Sequence, residues 1–392
     1  MQPLIHFVLQ EYGIVPMKGV LNGLLWFASW VLGKLIPKKK GLFIFGGRQY
    51  GGNTAPLFER SSDFELDGYW LTGRDDVLSM GLDRCYSTRS FRGLMLVLRA
   101  EAVVLTHSLG DFSPLTFSSR RTRIINVWHG MPIKRISTAD PQFMERKHAR
   151  SNLREMARFE CMVATSSEMA ALFSHTFRLK SHQVHITGQP RTDLLFGGQV
   201  RDIAAAYTPA LPAHSKRILY CPTWRENTAV KLFPFADYDL HAINQRLEEL
   251  DAIIYIRTHP NDPGRWQARS GRVVPMQSDV APEVTDVLPQ FNVLVTDYSS
   301  VYYDYLLLNR PTVFLPYDLN AYAKAPGFYL PFERIAPGHH PETQNGFLDA
   351  LEKALSEPEK IMESQRVVAD LVHKYKDGLA TERLLNVLSN GS

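Results

Sequence analysis

The chain has 392 residues, 45% of them apolar and 21% charged, with a net charge of +4 at neutral pH. That balance is too apolar for a disordered chain and lacks the basic excess of a nucleic-acid binder, and the length accommodates two ordinary domains. Three cysteines, Cys85, Cys161 and Cys221, are scattered and without metal-ligand spacing, which points to a reducing compartment rather than a disulfide framework.

The first element is a nearly continuous apolar run over residues 20–36 that contains Trp26, Phe27 and Trp30 and is followed by Lys38-Lys39-Lys40. Its few polar residues, Lys18, Asn22, Ser29 and Lys34, fall along one helical stripe. The pattern predicts an amphipathic, membrane-associating segment over residues 1–40, with the lysines meeting anionic lipid. A core-packed helical hairpin is the alternative. A spanning helix needs about 20 apolar residues, so this run is marginal for crossing. No small-residue cleavage site follows, and the positive charge lies behind the run, which argues against a signal peptide.

After Lys40, short runs rich in β-branched residues alternate with helical stretches. Predicted strands are Gly41–Phe45, Tyr69–Leu71, Ala102–Leu105, Ile124–Val127, Met162–Ala164 and Val184–Ile186. A second set comprises Ile218–Tyr220, Ile253–Ile256, Val273–Val274, Val293–Val295 and Thr312–Leu315. Strands spaced by helices predict parallel sheets covered by helices, and two sets predict two doubly wound domains, residues 41–200 and 201–392, joined through the polar stretch from Gly197 to Ser215.

In such folds ligands bind beyond the carboxyl ends of the strands. The polar clusters fall there: Trp128-His129-Gly130, Gly188 to Asp193, Pro222 to Arg225, Arg257 to Pro260, and Thr296 to Ser300. His129 could take a proton from a hydroxyl nucleophile, or cap a strand end. Gly130 allows close approach of a ligand. Lys134 and Arg135 could hold an anionic acceptor, or lie in a solvated turn. His259 could donate to phosphate oxygens, or be a turn residue fixed by Pro260. Arg225 has the fork that matches phosphate, although arginines on loops are common.

Ser299-Ser300 stand between the strand Val293–Val295 and a predicted helix over Val301–Leu308, where a hydroxyl can cap the helix and free backbone N–H groups can hold an anion. Asp304 follows Ser300 by four residues, on roughly the same helical face. It could accept hydrogen bonds from a hydroxylated ligand, or simply gain from the helix dipole. Tyr302, Tyr303 and Tyr305 are predicted to pack. Dinucleotide-binding glycine loops, Walker loops, zincin helices and nucleophile elbows are missing from the sequence, which removes the main support for those classes.

The ordered set Trp128 to Lys134, Gly188-Gln189-Pro190-Arg191-Thr192-Asp193, Pro222-Thr223-Trp224-Arg225, Arg257-Thr258-His259-Pro260 and Thr296-Asp297-Tyr298-Ser299-Ser300 through Asp304 resembles the CDP-glycerol glycerophosphotransferase family. Arg310-Pro311, Tyr317-Asp318-Leu319 and Pro337-Gly338 extend the likeness, which covers roughly Gly41 to His339. Met131 and His339 depart from the pattern, where the family often has threonine and proline, and the loop Gly46 to Asn53 resembles the family's only loosely.

The resemblance implies an α/β fold of GT-B architecture, two Rossmann-like domains with a cleft between them, acceptor on the first side and donor on the second. It implies transfer of glycerol phosphate from CDP-glycerol to a hydroxyl of a lipid-linked saccharide, with CMP leaving, in teichoic acid or capsule synthesis. His129 would be the general base. His259, Ser299 and Ser300 would contact the donor diphosphate with Arg225 near them, and Asp304 would lie close to the polyol. Gly130, Lys134, Arg191, Asp193, Thr223, Arg257 and Asp297 are further candidates for the cleft.

No carboxylate cluster suggests a bound metal, so the expectation is no tightly bound cofactor, with a divalent cation neither required nor excluded. The chain length favours a primase-like enzyme over a polymerase with extra modules. The expected setting is the cytoplasmic face of the membrane, peripherally attached, and the oligomeric state stays open. CDP-ribitol is an alternative donor within the family. A nucleotide-sugar glycosyltransferase and an inactive membrane scaffold are alternatives of other classes.

Overall fold

A computed structural model of the chain describes residues 31–33, 35–112, 121–198, 202–203, 207, 215–225, 229–259, 262, 269–276 and 282–390. The segment expected to associate with the membrane therefore lies outside the described residues up to residue 30, and so does most of the stretch from Gly197 to Ser215. Among the described residues no helix is long and apolar enough to cross a membrane.

The strands are β1 (Lys39–Phe45), β2 (Asp67–Thr72), β3 (Cys85–Ser87), β4 (Ala100–Leu105), β5 (Arg123–Asn126), β6 (Phe159–Ala164), β7 (Val184–Ile186), β8 (Lys216–Tyr220), β9 (Ala252–Ile256), β10 (Val273–Pro275), β11 (Val293–Thr296) and β12 (Thr312–Phe314). They form a seven-stranded sheet in the order β3-β2-β1-β4-β5-β6-β7 and a five-stranded sheet in the order β10-β9-β8-β11-β12. Neighbours pair in parallel, for example Ile44 with Tyr69 and Val103, and Leu294 with Leu219 and Thr312. These are doubly wound parallel sheets, as the alternating strand and helix pattern predicts. Among the described residues the edge strand β3 is the one strand the sequence pattern does not show: Cys85-Tyr86-Ser87 is short and only half-buried.

The chain divides into two compact units. One contains the described chain up to Trp128 and Arg154–Met162, and the other contains His129–Leu153 and Val163–Leu384. In the first, Phe43, Ile44, Trp70, Val103, Val104, Ile124 and Ile125 are fully buried. Continuous apolar strands of this kind result when a parallel sheet is covered on both faces. In the second, Ile218, Ile254, Ile256, Val293, Val295 and Val313 form one core with Ile243, Leu247, Phe347 and Leu351. The last four come from the helices α1 (Leu240–Glu249) and α2 (Gln344–Ser356).

The lysine triplet is used differently from expectation. Lys39 opens β1 and pairs with Asp67 at 2.6 Å. Lys38 donates to the Leu98 carbonyl at 2.9 Å and to Thr122 Oγ1 at 2.7 Å, and burial followed by the nearby Arg121 lowers its pKa to about 8. Two lysines read as lipid-facing thus serve the first sheet. Cys85, Cys161 and Cys221 are all free thiols.

In the second unit, helix α3 (Pro358–Val372) ends at His373, whose Nε2 donates to the Tyr303 carbonyl at 2.7 Å. Burial lowers the His373 pKa from 6.5 to about 4, against the opposing hydrogen bond to Tyr303. As the pH falls from 6.5 towards 4 the unfolded chain takes up a proton that the folded chain refuses, so stability decreases across that window and no further below it. The expected contribution is about 3 kcal/mol. Urea denaturation at pH 7 and pH 4 should show a pH-dependent loss smaller by about this amount in His373→Gln than in the parent, and equal losses would refute the assignment.

Candidate active site

In the five-stranded sheet the strand order reverses between β8 and β11, the place where open parallel sheets leave a crevice. The segments leaving those strands carry Thr223 and Arg225 on one side and Asp297, Ser299 and Ser300 on the other. Asp297 is 2% exposed and accepts from the backbone N–H of Thr223 at 2.7 Å and of Tyr298 at 2.6 Å. Arg225 Nη2 donates to Asp297 at 2.9 Å, while Nε and Nη2 form a bidentate pair with Asp318 at 2.9 Å each. Nη1 donates to the Thr223 carbonyl at 2.6 Å.

The guanidinium carbon of Arg225 lies 5.0–5.4 Å from the ring centroids of Tyr322, Tyr298 and Tyr317. Burial works against the charge on Arg225, yet Asp318 and Asp297 raise its pKa overall. Burial raises the Asp297 pKa, with Arg225 opposing. The fork of Arg225 pairs with the carboxylates of Asp297 and Asp318 and so joins the two strand exits. Asp318, the partner that sequence reading gave no role, sits in the Tyr317-Asp318-Leu319 stretch beyond β12.

Helix α4 (Val301–Leu306) follows the serine pair, and all six of its residues are buried. It ends two residues before the predicted limit. Ser300 occupies the capping position with helical dihedrals, φ −63° and ψ −13°, and its side chain makes no capping hydrogen bond. The expected hydroxyl cap is therefore not formed. Asp304, 2% exposed, is not presented on an open face: Arg191 Nη2 donates to it at 2.6 Å and Thr285 Oγ1 lies at 3.4 Å. Burial raises the Asp304 pKa, with Arg191 opposing.

His129 is exposed, and its backbone carbonyl accepts from Arg191 Nη1 at 2.6 Å. Gly130 has φ +145°, and a Cβ there would stand 2.9 Å from Arg191 Nη2 and 3.3 Å from Ser300 Oγ. The structure thus brings together the His129 turn, Gly130, Arg191, Ser300 and Asp304. The chain beyond is fixed by Met131 and Ile133, both buried, and by the bridge of Lys134 with Phe328. Arg135 adds bonds to the Gly327 carbonyl at 2.9 Å and the Phe328 carbonyl at 3.1 Å.

The remaining candidates take separate places. Asp193 accepts from the backbone N–H groups of Ala380 and Thr381 at 2.9 and 2.8 Å, which caps a C-terminal helix. Arg257 is buried and donates to the Pro282 carbonyl at 3.2 Å. His259 is exposed, with its ring 5.4 Å from that of Trp224. Within the first unit Asn53, fully buried, donates to the carbonyls of Val127 and Trp128 at 3.0 and 2.8 Å. That contact, which sequence reading missed, gives the Gly46 to Asn53 loop a role in shaping the exit of β5. An open cavity of about 620 Å³ lies beyond β12, lined by residues including Phe235, Tyr317, Asp318, His340 and Glu342. Among the described residues no group of three or more histidine, cysteine or acidic side chains could hold a metal ion.

The profile of the family CDP-Glycerol:Poly(glycerophosphate) glycerophosphotransferase matches residues 27–390. A teichoic acid glycerol-phosphate transferase of Staphylococcus aureus (strain NCTC 8325 / PS 47) is 25% identical over 92% of this chain and 96% of its own length. The teichoic acid ribitol-phosphate polymerase TarK of the same strain is 28% identical over 85% of this chain and 67% of its own length. Among solved structures, the wall teichoic acid polymerase TagF matches 96% of each chain with a TM-score of 0.74 and 21% identity, and a variant of it with CDPG matches with a TM-score of 0.76. The structural likeness establishes a GT-B-like fold.

Replacing Arg225 by methionine leaves Asp297 buried without its cation. The expected loss is about 3–5 kcal/mol of unfolding free energy, measured by denaturant titration. Arg225→Lys should recover only part of it, because one ammonium does not reproduce the bidentate pair with Asp318 while holding Asp297.

Proposed function

Because this chain belongs to the CDP-Glycerol:Poly(glycerophosphate) glycerophosphotransferase family, we propose that it transfers glycerol phosphate from CDP-glycerol to a hydroxyl of a membrane lipid-linked saccharide, adding one or a few units and releasing CMP. The observation that carries this reading is the approach of the His129-Gly130 turn to Ser300, with a Cβ on Gly130 only 3.3 Å from Ser300 Oγ. It unites a residue able to accept a proton with hydroxyls able to bind phosphate oxygens.

In this reading the acceptor hydroxyl attacks the phosphorus that bears glycerol. A new P–O bond forms, the bond to the CMP oxygen breaks, and the hydroxyl proton passes to the His129 imidazole. Positioning and charge neutralisation carry such a reaction. Ser299 and Ser300 hold the diphosphate, and His259, exposed beside Trp224, donates to it as negative charge builds on the leaving phosphate. Arg225 and Asp297 fix the two strand exits. Asp304 acts from behind the site through Arg191. The cavity beyond β12, about 620 Å³, is of a size for the nucleoside half of the donor.

The likeness to a ribitol-phosphate polymerase supports a second reading in which the donor is CDP-ribitol. CMP release should be measured with CDP-glycerol, CDP-ribitol and a UDP-sugar in parallel, using a synthetic lipid-linked disaccharide as acceptor. Turnover with a CDP-polyol and with no UDP-sugar is expected, and product mass counts the units added. Turnover of the UDP-sugar alone would sink the proposal. His129→Ala should lower kcat by about 10²–10⁴ while leaving donor affinity within about threefold; full activity in that variant would exclude His129 as the base.

We also place the enzyme at the cytoplasmic face of the membrane, held by the apolar run over residues 20–36. Since Lys38 and Lys39 are built into the first sheet, the informative truncation removes residues 1–30 only. It should move the protein from the membrane pellet to the supernatant, and unchanged sedimentation would refute the attachment.

A further inference from the structure

Arg191 spans two segments that are distant in sequence and adjacent in space. It lies on the short helical segment Pro190–Phe196, which packs against Val284–Gln290, the segment that supplies Thr285. The root of Arg191 is held on both sides: Thr192 N–H donates to the Gln189 carbonyl at 2.9 Å, and Asp193 is bound to the backbone of Ala380 and Thr381. From this base the guanidinium reaches the His129 carbonyl with Nη1 and the Asp304 carboxylate with Nη2, both at 2.6 Å. Side-chain exposure is 11% for Arg191 and 3% for Asp304, so the pair is shielded from water and from salt screening. A planar fork with donors on different nitrogens suits a three-way junction that a lysine would not reproduce.

Asp304 lies on the same helix as the residues that follow Ser300, and Gly130 lies against both Arg191 and Ser300. We propose that Arg191 is a positioning residue for the transfer reaction: it clips the His129 turn to the buried Asp304 carboxylate and so sets the placement of His129 relative to the serine pair. The proposal rests on the transferase reading above. It assigns Asp304 a part in holding the base-bearing turn instead of direct contact with the polyol. A misplacement of a reacting group by about 1 Å lowers turnover by about 100-fold, which sets the size of the effect.

The test uses the full chain and the variants Arg191→Gln, Asp304→Asn, the double variant Arg191→Gln/Asp304→Asn, and Arg191→Lys. The double variant removes both charges, so no unpaired buried ion remains to unfold it. In steady-state CMP release, kcat should fall about 100-fold in each single variant and by no more than that in the double, with donor KM within about threefold. Arg191→Lys should stay within about tenfold of Arg191→Gln. Independent of any substrate, hydrogen exchange in the peptide spanning residues 129–136 should speed up at least about tenfold in Arg191→Gln and in the double variant.

Parent-like exchange in that peptide would overturn the clip. So would losses that multiply in the double variant, because independent roles add in free energy. A rise in donor KM with kcat unchanged would make Arg191 a donor ligand and likewise overturn the proposal. An inert parent enzyme would sink the transferase reading alone, and the exchange measurement would then decide the clip by itself.

Discussion

Two carboxylates buried near the exit of β11 govern the arrangement of the second unit. Asp297 ends the strand and Asp304 sits within the helix that follows, and neither has more than 3% of its side chain exposed. A carboxylate in such a place must be neutral or matched by a cation with good geometry. Each finds an arginine from another strand exit, Arg225 beyond β8 and Arg191 beyond β7. The two ion pairs therefore determine which loops converge on the serine pair, and the His129 turn follows because the same guanidinium that matches Asp304 also holds the His129 carbonyl.

The strand exits were legible in the sequence because parallel strands buried on both faces read as unbroken apolar runs, as in Phe43 to Phe45 or Val293 to Val295. The partnerships among them were not. Arg191 and Asp304 are 113 residues apart and Arg225 and Asp297 are 72 apart. Nothing in local spacing distinguishes an arginine that binds phosphate from one that binds a carboxylate, because the same planar fork suits both. Asp304 was ambiguous for a related reason: helical periodicity places it on the face of Ser300, yet a six-residue helix buried on every side has no open face. His373 carried no motif, so its burial became visible only from the packing of α3 against the Tyr303 carbonyl.

The lysines after the N-terminal apolar run show the same ambiguity from the other direction. A basic triplet behind an apolar segment is what a lipid-facing anchor requires, but a lysine stem also packs well over apolar surface while its ammonium finds a carbonyl or a carboxylate. Lys38 and Lys39 take the second course, one through Leu98 and Thr122 and the other through Asp67. Any electrostatic contribution of Lys38 and Lys39 to a membrane surface is therefore reduced.

Gly130 connects the sequence motif to this geometry most directly. With φ +145° its backbone lies where L side chains are strained, and the space a Cβ would fill is taken by Arg191 on one side and Ser300 on the other. The turn is thin there for two reasons that act together. The guanidinium must pass close to the backbone to reach both the His129 carbonyl and Asp304, and Ser300 must come close if its hydroxyl is to share a ligand with His129. A side chain at this position would push the His129 turn away from Ser300 even if every ion pair survived. The glycine after the histidine is therefore a requirement of distance, set by the clip on one face and the serine on the other.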